Sequence, residues 1–140
     1  MKIYSFPRPA RERGQELVEF ALIFLPLFMT LMGILDLGRV VYCYTVLYNA
    51  VREGARYAII DSSDINAIKD IVISRALGLN LDASDVTVEL QDNYTTVPGN
   101  DTVQIHATYD FTIVTPIIGA FFGGSNQIPL ATQASMKLEK

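Results

Sequence analysis

Side chains that do most nucleophilic and acid–base chemistry are scarce in this 140-residue chain, which holds one histidine, His106, and one cysteine, Cys43. A single His excludes His-cluster zinc sites, and a single Cys excludes an internal disulfide framework. His106 sits between Ile105 and Ala107 in an alternating run, which turns it to the polar side of a strand as an ordinary surface residue. Cys43 lies between Tyr42 and Tyr44 and reads as a small packing residue, an intermolecular disulfide being the alternative. The residues before it, Val40-Val41-Tyr42, lack the small residue expected ahead of a lipidated Cys. Asp82, Asp85, Asp92 and Asp101 are scattered and make no D-x-D-x-D-G calcium loop. No glycine motif could cradle a phosphate, and no cofactor is expected. The acid with a telling position is Glu19, directly before the uncharged run Phe20–Leu35. A carboxylate in an apolar helix is costly alone and tolerable when paired. Its expected chemistry is pairing, not catalysis, the alternative being an interfacial acid outside the hydrocarbon with Gly14 a loop residue.

The element that positions Glu19 is apolar and long. Residues 20–35 carry no charge and as a helix would span about 24 Å, most of a bilayer core. Charged residues make up 19% of the chain, hydrophobic ones 50%, and mean hydropathy is +0.27, so part of the chain is expected to avoid water. Residues 1–14 hold Lys2, Arg8, Arg11 and Arg13 against Glu12, whereas the remainder carries seven basic and fourteen acidic side chains. That asymmetry places the N-terminus in the cytoplasm and the acidic part outside. A pI near 4.8 excludes nucleic acid as the expected partner. A buried core helix and a cleaved secretory signal are the competing readings of the run. No A-x-A site follows it, and Glu16 and Glu19 sit where such signals avoid acids. A retained membrane helix fits best.

Arg13-Gly14-Gln15-Glu16-Leu17-Val18-Glu19-Phe20 resembles the processing site of type IV prepilins, in which a basic leader ends in Gly and the mature chain opens on an apolar helix. Cleavage between Gly14 and Gln15 would make Glu19 the fifth mature residue. With Asp36-Leu37-Gly38-Arg39 and Arg52-Glu53-Gly54-Ala55-Arg56-Tyr57-Ala58, the stretch from Arg13 to Ala58 is similar to the N-terminal region of the TadE-like family of tight-adherence (Flp-type) pilus systems. The resemblance implies a minor pilin or pseudopilin, membrane-inserted and cut by a prepilin peptidase. It also implies that Glu19 pairs with the amino terminus of a neighbouring subunit. Asn93-Tyr94-Thr95 and Asn100-Asp101-Thr102 match the glycosylation pattern, but in a bacterial-type pilus component they are not expected to be used.

Beyond the apolar run, Tyr44, Leu47, Val51, Ala55 and Ala58 recur at helical steps, with Thr45, Asn49, Arg52 and Arg56 on another face. One rod from about Gln15 to Ile60 is expected, roughly 69 Å long, loosened or kinked at Pro26. Ala50, Gly54 and Ala58 permit close approach by another element, the chain's own sheet before a partner helix. Asp36 and Arg39 stand three apart and can pair at the outer membrane edge. Arg52 and Arg56 share a face, as a solvated surface or as a contact with a neighbouring subunit. Asp61 to Asp64 offer N-caps for a short helix carrying Ile65, Ile68, Ile71, Val72 and Leu77 and stopping at Gly78. Strands are expected at Val86–Leu90, Val103–Ile113 and Ile128–Leu138. Turn-rich residues 93–101 join the first two, and a Gly- and Phe-rich apolar loop from Pro116 to Gln127 joins the last two. That loop must be buried or interact, near the membrane or against a pilus component.

The expected fold class is α+β: a long membrane-spanning helix, a short second helix and a small three-stranded antiparallel sheet. The expected division is a leader at 1–14, a helix at 15–60 and a small extracytoplasmic domain at 61–140. The helix divides into a membrane part at about 17–38 and an outer part at 39–60. The function expected is structural, and the chain is not expected to be an enzyme. Its residues for processing are Gly14 and Gln15, and for assembly Glu19, Phe20, Asp36, Arg39, Arg52 and Arg56. The partners are the lipid bilayer, other pilin or pseudopilin subunits, the pilus assembly platform, the prepilin peptidase and copies of itself, at the bacterial cytoplasmic membrane. The alternative is a signal-anchored binding module or small hydrolase working through residues 61–140. No nucleophile–base pair is visible there.

Overall fold

The computed structural model describes residues 10–91, 102–115 and 126–138. Helix α1 (Ala10–Ile60) is followed by helix α2 (Ile65–Arg75) and strands β1 (Val86–Gln91), β2 (Thr102–Thr112) and β3 (Gln127–Lys137). The fold is α+β, as the alternating and helical periodicities predict. The connections at 93–101 and 116–125 lie outside the described residues.

Helix α1 has 51 residues and is therefore about 76 Å long. It starts at Ala10, five residues before the start read from the sequence, and stays helical through Pro26. Pro26 has no N–H to give the preceding turn, and Thr30 Oγ1 donates to the Pro26 carbonyl at 2.8 Å. The two halves of the rod have opposite surroundings. In the apolar window of the N-terminal half no residue is buried, and the helix is long and apolar enough to cross a membrane. From Asp36 onward one stripe is covered: Cys43, Leu47, Ala50, Val51, Ala55 and Ala58 all belong to the core. Their three- and four-residue spacing is the helical repeat. Tyr44, placed on that stripe by its spacing, is exposed, because Cys43 takes the inward position.

Helix α2 is capped by Asp64, whose Oδ1 accepts from Ala67 N–H at 3.0 Å, satisfying one otherwise free amide of the first turn. Its inward residues are Ile68 and Val72. The helix ends at Arg75 rather than running to Gly78, and Gly78 takes a positive φ of 83° in the turn beyond. The early stop swings Leu77 out to 73% exposure and brings Ala76, Leu79 and Leu81 inward instead.

The sheet order is β1-β2-β3, both pairings antiparallel. Val86 faces Ala107 and Val88 faces Ile105 across β1 and β2, while Ala134 and Thr132 face the same two β2 residues from β3. Facing pairs share one side of the sheet. Val103, Ile105, Ala107 and Phe111 are buried on that side against the helices. The opposite side is polar, with Thr87, His106 and Gln133 in one row and Glu89, Gln104 and Ser135 in the next. Both helices lie on the apolar side: α1 against β2 and β3, α2 against β1 and α1. Where α1, α2 and β2 meet, the residue is Gly54. A Cβ there would run into Val72 Cγ2 and come within 3.3 Å of Ile105 Cδ1. The small-residue stripe thus serves the chain's own helix and sheet.

Candidate functional site

The sequence-selected residues fall into three groups along α1. Gly14, Gln15, Glu19 and Phe20 stand at its N-terminal end, all exposed. Among the described residues, nothing beyond its own stretch of helix lies within 4 Å of a Cβ built on Gly14. Phe20 stacks on Phe24 at 5.5 Å between ring centroids, and Phe24 on Phe28 at 5.9 Å, one aromatic per turn along one face. Among the described residues Glu19 has no ion-pair partner. About 17 residues, or some 26 Å of helix, separate it from the second group.

That second group is Asp36 and Arg39. The two do pair: Arg39 Nη1 lies 3.2 Å from Asp36 Oδ1. The contact is only part of what Asp36 does. Its residue is 5% exposed, and its carboxylate accepts from Thr115 N–H at 2.8 Å and from Val114 N–H at 3.2 and 3.3 Å. A buried carboxylate is tolerated when donors surround it, and here they come from backbone almost eighty residues on. Arg39 reinforces the junction, with Nη1 3.5 Å from the Thr112 carbonyl and its guanidinium 5.0 Å above the Phe111 ring. Together they fasten the end of β2 to α1 one residue past the uncharged run. Sequence reading found the pair and missed the clamp. The available signal was that Asp36 opens the buried stripe continued by Cys43 and Leu47.

The third group is Arg52 and Arg56 on the outward side of α1. Arg52 lies 5.6 Å from the Tyr48 ring centroid, and Tyr48 stacks on Tyr44. Arg56 approaches Glu53 at 3.6 Å, both well exposed. Such a pair contributes about 0–1 kcal/mol, which leaves the surface available for contacts. The structure brings neither arginine near Glu19 or Asp36.

Among the described residues no three His, Cys, Asp or Glu side chains are grouped to hold a metal. Cys43 is a free thiol buried in the core. Asp85 accepts from Asp82 N–H at 2.9 Å, closing a local turn before β1, and Asp92 and Asp101 lie outside the described residues. His106 is half-buried in β2 beside a shallow cleft with Tyr44, Tyr48 and Gln133. A second, almost wholly apolar groove of about 490 Å³ runs between α1 and the ends of β2 and β3.

No curated protein and no solved structure matches this chain. One family model does: described as TadE-like protein, it covers residues 14–56, from Gly14 through the bare helix and the Asp36 junction to Arg56. Over that stretch, less than half of its length, the chain is similar to the TadE-like family, and such a segment on an apolar N-terminal helix fits a pilus-associated, membrane-anchored protein.

Proposed function

We propose that this protein is a structural, non-enzymatic, membrane-anchored pilin-like subunit. It would be a minor pilin or pseudopilin of a tight-adherence pilus or a related type IV filament or secretion system. One observation carries the reading: a single helix is bare over its apolar half and buried over its outer half, and the TadE-like match spans both. In this account the basic leader stays in the cytoplasm and the sheet lies outside the cytoplasmic membrane. A prepilin peptidase cuts between Gly14 and Gln15. The new amino terminus of one subunit then pairs with Glu19 of the next, relieving the cost of a carboxylate in hydrocarbon, while Phe20 and the ring stack beyond it pack between helices. Arg52 and Arg56 offer planar cations to carboxylates of neighbouring subunits or of the assembly platform. Asp36 and Arg39 act within the subunit and keep the outer domain in fixed relation to the rod, so that helix register sets domain register.

The testing experiment is sheared-filament fractionation of wild type, Glu19→Gln and Glu16→Gln at equal membrane levels. Glu19→Gln is expected to insert and be processed, because burying an amide is cheaper than burying an unpaired carboxylate, yet to drop out of the filament fraction. Glu16→Gln should matter less. Normal incorporation of processed Glu19→Gln would make Glu19 an interfacial acid with no part in assembly.

A further inference from the structure

The Asp36 clamp fixes the height of the sheet above the bilayer. Asp36 follows the uncharged run Phe20–Leu35 directly, and Thr115 N–H is 2.8 Å from its carboxylate. The adjoining ends of β2 and β3 must therefore lie level with the last turns of the apolar helix. Those ends are themselves apolar. Phe111, Ile113 and Ile128 form one wall of the 490 Å³ groove, and Ile34, Leu37 and Val40 form the opposite wall on α1. The groove also reaches down to Thr30, about 9 Å of helix below Asp36 and inside the uncharged run. Ile34 and Leu37, which line it, are exposed, so its surface is continuous with the bare helix. An open hydrocarbon groove facing water is a liability. One that opens on a bilayer is filled by whatever the bilayer supplies.

Resting on the reading that α1 spans a membrane, we infer that this groove takes one acyl chain of a membrane phospholipid. The chain rises beside α1 from the leaflet on the domain's side. The continuity of the groove with the apolar helix commits it to this occupant rather than to a water-borne ligand.

The test uses the full chain in phosphatidylcholine nanodiscs containing a phospholipid with a diazirine near the end of one acyl chain. After photolysis, adducts are located by peptide mass spectrometry. Adducts at Phe111 or Ile113 are expected in addition to those on residues 17–35, because an occupied groove carries the tail end up to the sheet, whereas mere contact with the headgroup layer does not. Ile128→Trp, which narrows the groove from β3, is expected to abolish the sheet adducts and leave those on α1 unchanged. Labelling confined to α1 in the wild-type chain would overturn the lipid site while sparing the membrane-spanning reading. Sheet adducts that persist in Ile128→Trp would also overturn it. Absence of adducts on α1 would instead fail the membrane-spanning reading itself.

Discussion

Replacing Asp36 by Ala removes the acceptor for two backbone amides and the partner of one guanidinium. The Thr115 N–H bond is short at 2.8 Å, and the Val114 N–H is shared between two carboxylate oxygens at 3.2 and 3.3 Å. Hydrogen bonds to a charged group contribute about 1.5–3 kcal/mol each, and orphaned donors cost on a similar scale. The two together, with the longer one discounted, should therefore be worth about 3 kcal/mol. The ion pair adds little, since Arg39 is half exposed and such pairs contribute about 0–1 kcal/mol. Native-state hydrogen exchange on the full chain in detergent micelles reads the effect at Val114 and Thr115 directly. About 3 kcal/mol corresponds to a loss of protection on the order of a hundredfold. Arg39→Gln should cost less than about fivefold at the same amides. Core amides of β2 such as Ile105 should change far less, because the clamp acts at the strand end. If Asp36→Ala left Thr115 protection unchanged, or if Arg39→Gln cost as much, the carboxylate would not be what fastens sheet to rod.

Two further outcomes follow from the packing and the turns. Gly54→Ala drives a Cβ into Val72 and should destabilise the domain by about 1–2 kcal/mol even after the gain in helix propensity, seen as a lower Tm; an unchanged Tm would mean that α1 and α2 do not meet this closely. Asp61 accepts from Ser63 Oγ at 2.6 Å and from Ser63 N–H at 3.0 Å, contacts that hold its carboxyl below the ordinary value of 3.8. The order it lends to the α1–α2 turn is then fully present above pH 3.8 and lost as pH falls through its lower folded value. Carboxyl NMR should put its midpoint under 3.8, and Ser63→Ala should move it back up.

Much of the architecture was legible because it rests on period. Leu47, Val51, Ala55 and Ala58 announce the covered stripe of α1. Alternation in Val86–Leu90, Val103–Ile113 and Ile128–Leu138 announces three half-buried strands. What escaped depends on contacts between distant residues or on single dihedral choices. Asp36 could be read only against Arg39, its neighbour at three residues, since nothing in the spacing says that Val114 and Thr115 will fold back to it. Leu77 continues the apolar repeat of α2 by number. The chain nevertheless leaves the helix at Ala76, whose N–H bonds to both Val72 and Ile73 carbonyls, and the repeat no longer applies. At the other end, α1 extends back to Ala10 because no residue from Ala10 to Gly14 is a proline, and glycine at position 14 only weakens a helix.

The central claim is that this chain enters a filament as a processed subunit, and the most direct measurement is the intact mass of the protein recovered from sheared filaments of cells with an active prepilin peptidase. The account predicts a species beginning at Gln15, with Met1–Gly14 removed, enriched in that fraction over the membrane. Recovery only from the membrane, or a filament-associated protein that still begins at Met1 or has been cut beyond Leu35, would contradict it.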